Sequence, residues 1–200
     1  MTMILYGATP SPFVAKAAMA ALHAGIEVTI KPVNVGAGDA ELDALNPLSK
    51  IPCLDLGDGC AVYDSRAITR FLDRESGGKL YPTDHAVATS VETMEALCDG
   101  ICDCGLSYVY ENRMRPPEKI SKDWLDRQFG KILRGLDALN ANPPAMGEDM
   151  NIDAIACAAT LGYMDLRFEG RWRDGRDMLV KWLAEFDSKH ADLAALKPAA

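Results

Sequence analysis

At 200 residues, the chain is long enough to bury the core of one large domain or of two small ones. A hydrophobic share of 48% and a charged share of 25% are those of an ordinary globular protein, and a net charge of −8 argues against a nucleic-acid-binding or anionic-membrane surface. The sequence has no run of about 18 apolar residues, so we predict no transmembrane helix. The first residues lack the basic start of an export signal, and we therefore expect a cytoplasmic protein.

The first 80 residues alternate short strand patterns with helical ones. Strands are predicted at residues 4–6, 28–35, 53–56 and 60–63, and helices at 12–24 and 65–75. Gly25 stands where the first helix should end, and residues 57–59 (Gly-Asp-Gly) predict a hairpin turn.

After residue 80 the pattern is helical almost throughout. Helices are predicted at about 85–114, 121–139, 152–167 and 175–187, with proline breaks at 115–117 and 142–144. We therefore predict an α/β thioredoxin-like N-terminal domain at residues 1–79, a linker at 80–87 and an all-α C-terminal domain at 88–200. Asn151, one residue late for the usual cap position, is expected to cap the helix that starts near 152.

The six cysteines stand at positions 53, 60, 98, 102, 104 and 157. Their low density in a chain with no export signal favours reduced thiols over a disulfide framework. Cys98 and Cys102 share a helix face at i, i+4, but no neighbouring His completes a tetrahedral ligand set. We expect buried small side chains here, and no metal site.

Ser11 precedes Pro12 at the start of the first helix, which is the pattern of an N-cap. One interpretation is that Ser11 only caps the helix. The other is that it stabilises a bound thiolate, because a helix N-terminus favours anions. Lowering a thiol pKa by about two units takes roughly 2.7 kcal/mol. A hydroxyl hydrogen bond to a charged group supplies roughly 1.5–3 kcal/mol and a helix N-terminus roughly 0.3–1, so no histidine base is needed.

Two further segments carry polar groups beside turns. Residues 46–56 (Asn-Pro-Leu-Ser-Lys-Ile-Pro-Cys-Leu-Asp-Leu) form a loop that leads into a strand, and Asp64-Ser65 precedes an amphipathic helix for which Ser65 is the natural N-cap. The order and spacing of these segments after residues 6–13 resemble the glutathione S-transferase family. The likeness is to its serine-type members, as in bacteria and the plant tau class.

The resemblance implies glutathione as cosubstrate and assigns roles to residues of this chain. Ser11 would stabilise the thiolate, with Thr9 and then Tyr6 as lower-ranked candidates. Ile51, before a cis-Pro52, would offer its backbone to the cysteinyl part of glutathione, and Lys50 would pair with the glycyl carboxylate. Ser65 would hold the γ-glutamyl carboxylate and Asp64 the ammonium group.

The rest of the resemblance concerns partners. It implies a homodimer that conjugates glutathione to a hydrophobic electrophilic small molecule, with Phe13 and Tyr108 in the wall of the second-substrate pocket. Asp99 and Asp103 are expected on a solvated helix face or near the partner's ligand. Two alternatives stay open: a non-catalytic ligand-binding member of the family, and a glutathione-dependent isomerase or dehalogenase.

Overall fold

The computed structural model of the protein describes residues 3–34, 36–147 and 150–200. Three sequence predictions extend beyond these ranges. The residues outside the described ranges are the last residue of the predicted strand 28–35, the first two residues of the predicted N-terminal domain, and residues 148 and 149 of the predicted C-terminal domain.

The N-terminal part is built on a four-stranded mixed sheet. Its strands are β1 (Met3–Gly7), β2 (Val28–Pro32), β3 (Cys53–Asp55) and β4 (Ala61–Tyr63), in the spatial order β2-β1-β3-β4. Strand β1 runs parallel to β2 and antiparallel to β3, and β3 runs antiparallel to β4. The connection between the parallel strands passes through helix α1 (Pro12–Ala24), as a parallel pair requires.

Side chains alternate between the two faces of this sheet, as the period of a strand dictates. Leu5 and Leu54 point into the main core, which also holds buried residues of α1 and of helix α3 (Ser65–Glu75). Tyr6 and Cys53 point to the opposite face, where they pack against Leu42 of the short helix α2 (Ala40–Leu45). The sheet is thus covered by helices on both sides.

The other described residues are mostly helical. They comprise α4 (His85–Met114), a 3₁₀ turn (Pro117–Lys119), α5 (Lys122–Ala141), α6 (Ile152–Phe168), α7 (Asp177–Lys189) and α8 (Ala191–Ala194). Helix α6 is buried along nearly its whole length and packs against both α1 and α4. Within the described residues, no helix combines the length and apolarity that a membrane crossing requires.

One continuous core joins the sheet-bearing part to the helical part. The connecting segment is held at Leu80 and Tyr81. The Asp73 carboxylate accepts hydrogen bonds from the Leu80 and Tyr81 backbone N–H groups at 2.8 and 3.1 Å, and the Leu80 carbonyl accepts the Ile152 N–H at 2.9 Å. The start of α6 is therefore fixed to the chain that leaves α3.

The predicted fold class is confirmed: a thioredoxin-like sheet precedes an all-helical part. Three local predictions differ. Strand β2 ends at Pro32, since proline cannot continue the ladder of hydrogen bonds, and α2 was not predicted. Asn151 stands at the N-cap of α6 but makes no side-chain cap bond, and the Asp153 carboxylate instead accepts the Ala154 N–H at 3.0 Å.

Candidate functional site

Ser11 is the N-cap of α1, as its position before Pro12 predicts. Its extended backbone (φ −85°, ψ 121°) lets Oγ accept the Val14 N–H at 3.3 Å. A hydroxyl has two acceptor lone pairs and one donor hydrogen, so capping leaves the Ser11 O–H free to donate. The capping and thiolate-stabilising interpretations of this residue are therefore compatible.

The loop that leads into β3 is organised by a buried asparagine. Asn46 Oδ1 accepts the Leu48 N–H at 3.0 Å, and Asn46 Nδ2 donates to the Lys50 carbonyl at 2.8 Å. The Ile51-Pro52 peptide bond that follows is cis, as the resemblance implied. Ile51 lies two residues before the strand ladder, which begins at Cys53, so its backbone groups take no part in that ladder.

At the start of α3, the cap is Asp64 and not Ser65. The Asp64 carboxylate accepts the Arg66 N–H at 2.9 Å, and Ser65 becomes the first helical residue, with 6% of its surface exposed. Asp64 has φ +72° and ψ 127°, a conformation that costs a non-glycine residue on the order of 1–3 kcal/mol and that clusters at ligand clamps. The prediction that Ser65 caps the helix is wrong, because Asp64 has the non-helical backbone of a cap residue and its carboxylate makes the cap bond.

These segments enclose a cleft of about 260 Å³. Five of the six predicted glutathione contacts line it, together with Phe13: they are Lys50, Ile51, Pro52, Asp64 and Ser65. The lining also includes residues that the sequence analysis did not assign to the site: Asn46, Leu48, Tyr63 and Arg66. Asp99 and Asp103 of α4 complete the lining. The cleft therefore carries cations and carboxylates side by side.

Asp99 does not lie on a solvated helix face, contrary to the sequence prediction. It is 5% exposed, and its carboxylate accepts from Lys16 Nζ at 2.8 Å and from Arg66 Nε at 2.7 Å. The interaction with Asp99 raises the pKa of the Arg66 guanidinium. Asp103, one helical turn later, lines the cleft, where loss of solvent around the carboxyl group and the Asp99 charge raise its pKa.

The remaining predicted residues lie outside the lining of this cleft. Ser11 and Thr9 belong to the loop between β1 and α1. Tyr6, the third-ranked candidate, is 3% exposed and lies on the face of the sheet that α2 covers. Its hydroxyl donates to Glu41 at 3.0 Å, so it points away from the cleft. Tyr108 packs in an aromatic cluster with Phe129 and Phe168, at centroid distances of 6.0 and 5.3 Å.

Only some of the cleft residues that the sequence analysis did not assign to the site carry a local sequence signal. Asn46 before a proline is a common turn starter, which predicts a structured loop. Arg66 and Asp99 gave no such signal, because the two residues are 33 positions apart in the chain and lie on different helices.

The described residues contain no group of three or more His, Cys, Asp or Glu side chains arranged to hold a metal ion. All six cysteines are free thiols, and Cys98 and Cys102 are buried. Burial raises the pKa of the Cys102 thiol well above its usual range.

Comparison with known protein families gives two matches along the chain. The family described as the glutathione S-transferase N-terminal domain matches residues 10–75. The family described as the glutathione S-transferase C-terminal domain matches residues 122–185. The uncharacterized GST-like protein YibF of Escherichia coli (strain K12) is 33% identical over 197 residues, which cover 94% of this chain and 96% of that protein.

Solved structures extend the likeness to three dimensions. A glutathione transferase family member from Pseudomonas fluorescens Pf-5, solved with bound glutathione, is 33% identical and superposes with a TM-score of 0.90 over 100% of both chains. A glutathione S-transferase from Methylobacillus flagellatus KT, solved with GSH bound, is 30% identical with a TM-score of 0.89, over 99% of this chain and 100% of that one. On these matches, and on the sheet order and cleft described above, the chain belongs to the glutathione S-transferase family.

Proposed function

We propose that this protein binds glutathione in the cleft and transfers its thiolate to an electrophilic small molecule. The observation that carries the proposal is the convergence on one cleft of the cis Ile51-Pro52 turn and the start of α3. The two similar structures named above were solved with glutathione bound, which supports the same ligand here.

The charges of the cleft suit a tripeptide with two carboxylates and one ammonium group. Lys50 is proposed to pair with the glycyl carboxylate, and Ser65 with the N-terminus of α3 to hold the γ-glutamyl carboxylate. Asp64 is proposed to hold the ammonium group. Ile51 would pair its backbone with the cysteinyl unit, in the manner of an added strand.

The proposed chemistry needs only a stabilised thiolate. The glutathione thiol loses its proton to solvent, and the Ser11 hydroxyl donates a hydrogen bond to the resulting sulfur anion. The sulfur then attacks an electrophilic carbon, a carbon–sulfur bond forms, and the leaving group departs with its electron pair. Phe13, which lines the cleft, and Tyr108 are the proposed wall for an apolar electrophile.

The test is an ultraviolet difference titration of the protein with glutathione near pH 7, read at the thiolate band. A saturable band is expected in the native protein and in Thr9→Val. Since a hydrogen bond to a charged group contributes about 1.5–3 kcal/mol, Ser11→Ala should raise the thiol pKa in the complex by about one to two units. Turnover of 1-chloro-2,4-dinitrobenzene by Ser11→Ala should fall by roughly tenfold to a hundredfold.

Other outcomes would select other functions. Saturable glutathione binding without a thiolate band, and with no loss in Ser11→Ala, would favour a carrier over an enzyme. Intact turnover in Ser11→Ala together with lost turnover in Thr9→Val would move the thiol partner to Thr9. Ionisation without conjugation would direct the search to isomerase and dehalogenase substrates.

The proposal also covers the localisation, the oligomeric state and the domain limits of the protein. We propose a cytoplasmic homodimer, with domain limits at residues 79 and 88 as in the sequence analysis. Leu48, a large apolar side chain at the rim of the cleft, is 64% exposed, which is consistent with a surface that a second subunit covers.

A further inference from the structure

The last residues of the sequence return to the loop that carries Ser11. After α8 the chain makes one more turn, in which the Lys197 N–H donates to the Ala194 carbonyl at 3.2 Å. The Ala199 N–H then donates to the Thr9 carbonyl at 3.2 Å. Thr9 is two residues before Ser11, so this hydrogen bond joins the end of the helical part to the thiol-binding loop.

Three features of the structure keep this returning segment, residues 197–199, in place. Lys197 Nζ lies 2.6 Å from both carboxylate oxygens of Asp187 in α7. Pro198 is buried. The absence of a side chain at Gly162 of α6 makes room for the segment, since a Cβ there would lie 3.0 Å from Lys197 Cβ and 3.0 Å from Pro198 Cδ.

Residues 197–199 are therefore anchored to α6 and α7 at the point where the Ala199 N–H contacts the loop. Two other backbone hydrogen bonds hold the loop: the Ser11 N–H donates to the Ala8 carbonyl at 3.0 Å, and the Val33 N–H, after β2, donates to the Gly7 carbonyl at 2.8 Å. The bond from Ala199 restrains the peptide between these two anchors. Because hydrogen bonds weaken steeply with poor angles, a small rotation of this peptide would misdirect the Ser11 hydroxyl.

We propose that residues 197–199 are a positioning strap for the Ser11 hydroxyl, with the Ala199 N–H as the group that acts on the loop. This inference rests on the proposed function. The strap does not touch glutathione in this proposal. It sets the geometry with which Ser11 meets the sulfur, and misplacement of a reacting group by about 1 Å can cost up to about a hundredfold in rate.

The first test replaces the donor. Ala199→Pro removes the N–H, and Ala200→Pro is the matched control that makes the same change one residue later. We expect Ala199→Pro to raise the apparent pKa of the bound glutathione thiol by about half a unit or more and to lower kcat about threefold to tenfold with 1-chloro-2,4-dinitrobenzene. The KM for glutathione should stay within about twofold, because the binding contacts are intact. Ala200→Pro should match the native protein.

The second test displaces the strap by adding a side chain on α6, where Gly162 faces residues 197 and 198. Gly162→Val should push residues 197 and 198 away while the Ala199 N–H is retained. Gly130→Val, on α5, is its control, because a Cβ at Gly130 would meet only the flexible end of Arg134 at 3.4 Å. The same rise in thiol pKa is expected for Gly162→Val alone. If either strap variant fails to fold, Lys197→Met, which removes the ion pair with Asp187, carries the test.

The outcomes separate the two proposals. A native protein that binds glutathione without a thiolate band overturns the proposed function and the strap together. A native protein that ionises glutathione, with an unchanged thiol pKa and kcat in folded Ala199→Pro and Gly162→Val, overturns the strap alone. A rise in thiol pKa in both variants, absent from both controls, supports it.

Discussion

Water reaches the sulfur atoms of the six cysteines very unevenly. Cys60, in the turn between β3 and β4, is exposed, whereas Cys53, Cys98, Cys102 and Cys157 are buried. Burial raises the pKa of the Cys53 thiol to about 11. The thiolate is the reactive form of cysteine, so a raised pKa slows alkylation. Burial slows it further, because the reagent cannot reach the sulfur.

We expect iodoacetamide at pH 8 to modify Cys60 first in the native protein. With a pKa of about 11, Cys53 is a thiolate in about one molecule in a thousand at that pH. Peptide mass spectrometry over time should show one fast adduct, and Cys60→Ser should remove it. Equal rates at Cys53 and Cys60 would contradict the prediction, and would mean that β3 opens readily.

At the scale of elements, two glycines of α5 have different surroundings. A Cβ at Gly135 would lie 2.6 Å from Cγ1 and 2.8 Å from Cδ1 of Ile101 in α4, which shows that the two helices approach closely there. A Cβ at Gly130, five residues earlier in the same helix, would meet only the flexible Arg134 guanidinium at 3.4 Å. Gly135 is thus a packing residue and Gly130 is not.

Alanine substitution should therefore have opposite effects at the two positions. Gly130→Ala should raise the free energy of unfolding by up to about 1 kcal/mol through helix propensity. Gly135→Ala should lower it by about 1–3 kcal/mol, because overpacking outweighs the same gain. Urea unfolding followed by circular dichroism measures both values, and a stabilised Gly135→Ala would show that α4 and α5 separate without cost.

Local signals account for the elements that the sequence predicts well. Pro12 and Gly25 bracket α1, and the proline pair after Arg115 follows the end of α4. Helix α2 escaped prediction because it has only six residues, too few for a helical period to stand out. The cap of α3 was misplaced by one residue, since serine and aspartate are equally good caps and only the loop path decides between them.

At the scale of the whole molecule, a network of charges around two buried carboxylates joins the two parts of the chain. Lys16 of α1 is 1% exposed and bonds Glu95 and Asp99 of α4 at 2.9 and 2.8 Å. Arg66 of α3 adds a second cation to Asp99 at 2.7 Å. Two cations thus balance two carboxylates, and the Tyr81 hydroxyl completes the set by donating to Glu95 at 2.8 Å.

No pattern in the sequence predicts this network. Lys16 lies among the alanines of α1 at a buried position, where lysine is almost never found unless it is paired. Its partners lie 79 and 83 residues away, on a helix whose contact with α1 depends on the tertiary fold. The segments of the site were predictable because each carries local turn chemistry, whereas the burial of Asp99 beneath the cleft was not.

Lys16→Met should lower the free energy of unfolding by about 3–5 kcal/mol, because it leaves two buried carboxylates with one cation. In Lys16→Met/Glu95→Gln the charges of Arg66 and Asp99 balance again, so the double variant should lose less stability than Lys16→Met alone. Equilibrium denaturation of the native protein, both single variants and the double variant gives the coupling energy between the two residues. Additive losses would contradict a shared network. A coupling of about 1–3 kcal/mol would show that one set of charges holds α1 against α4 and, through Asp99 and Arg66, supports the floor of the cleft.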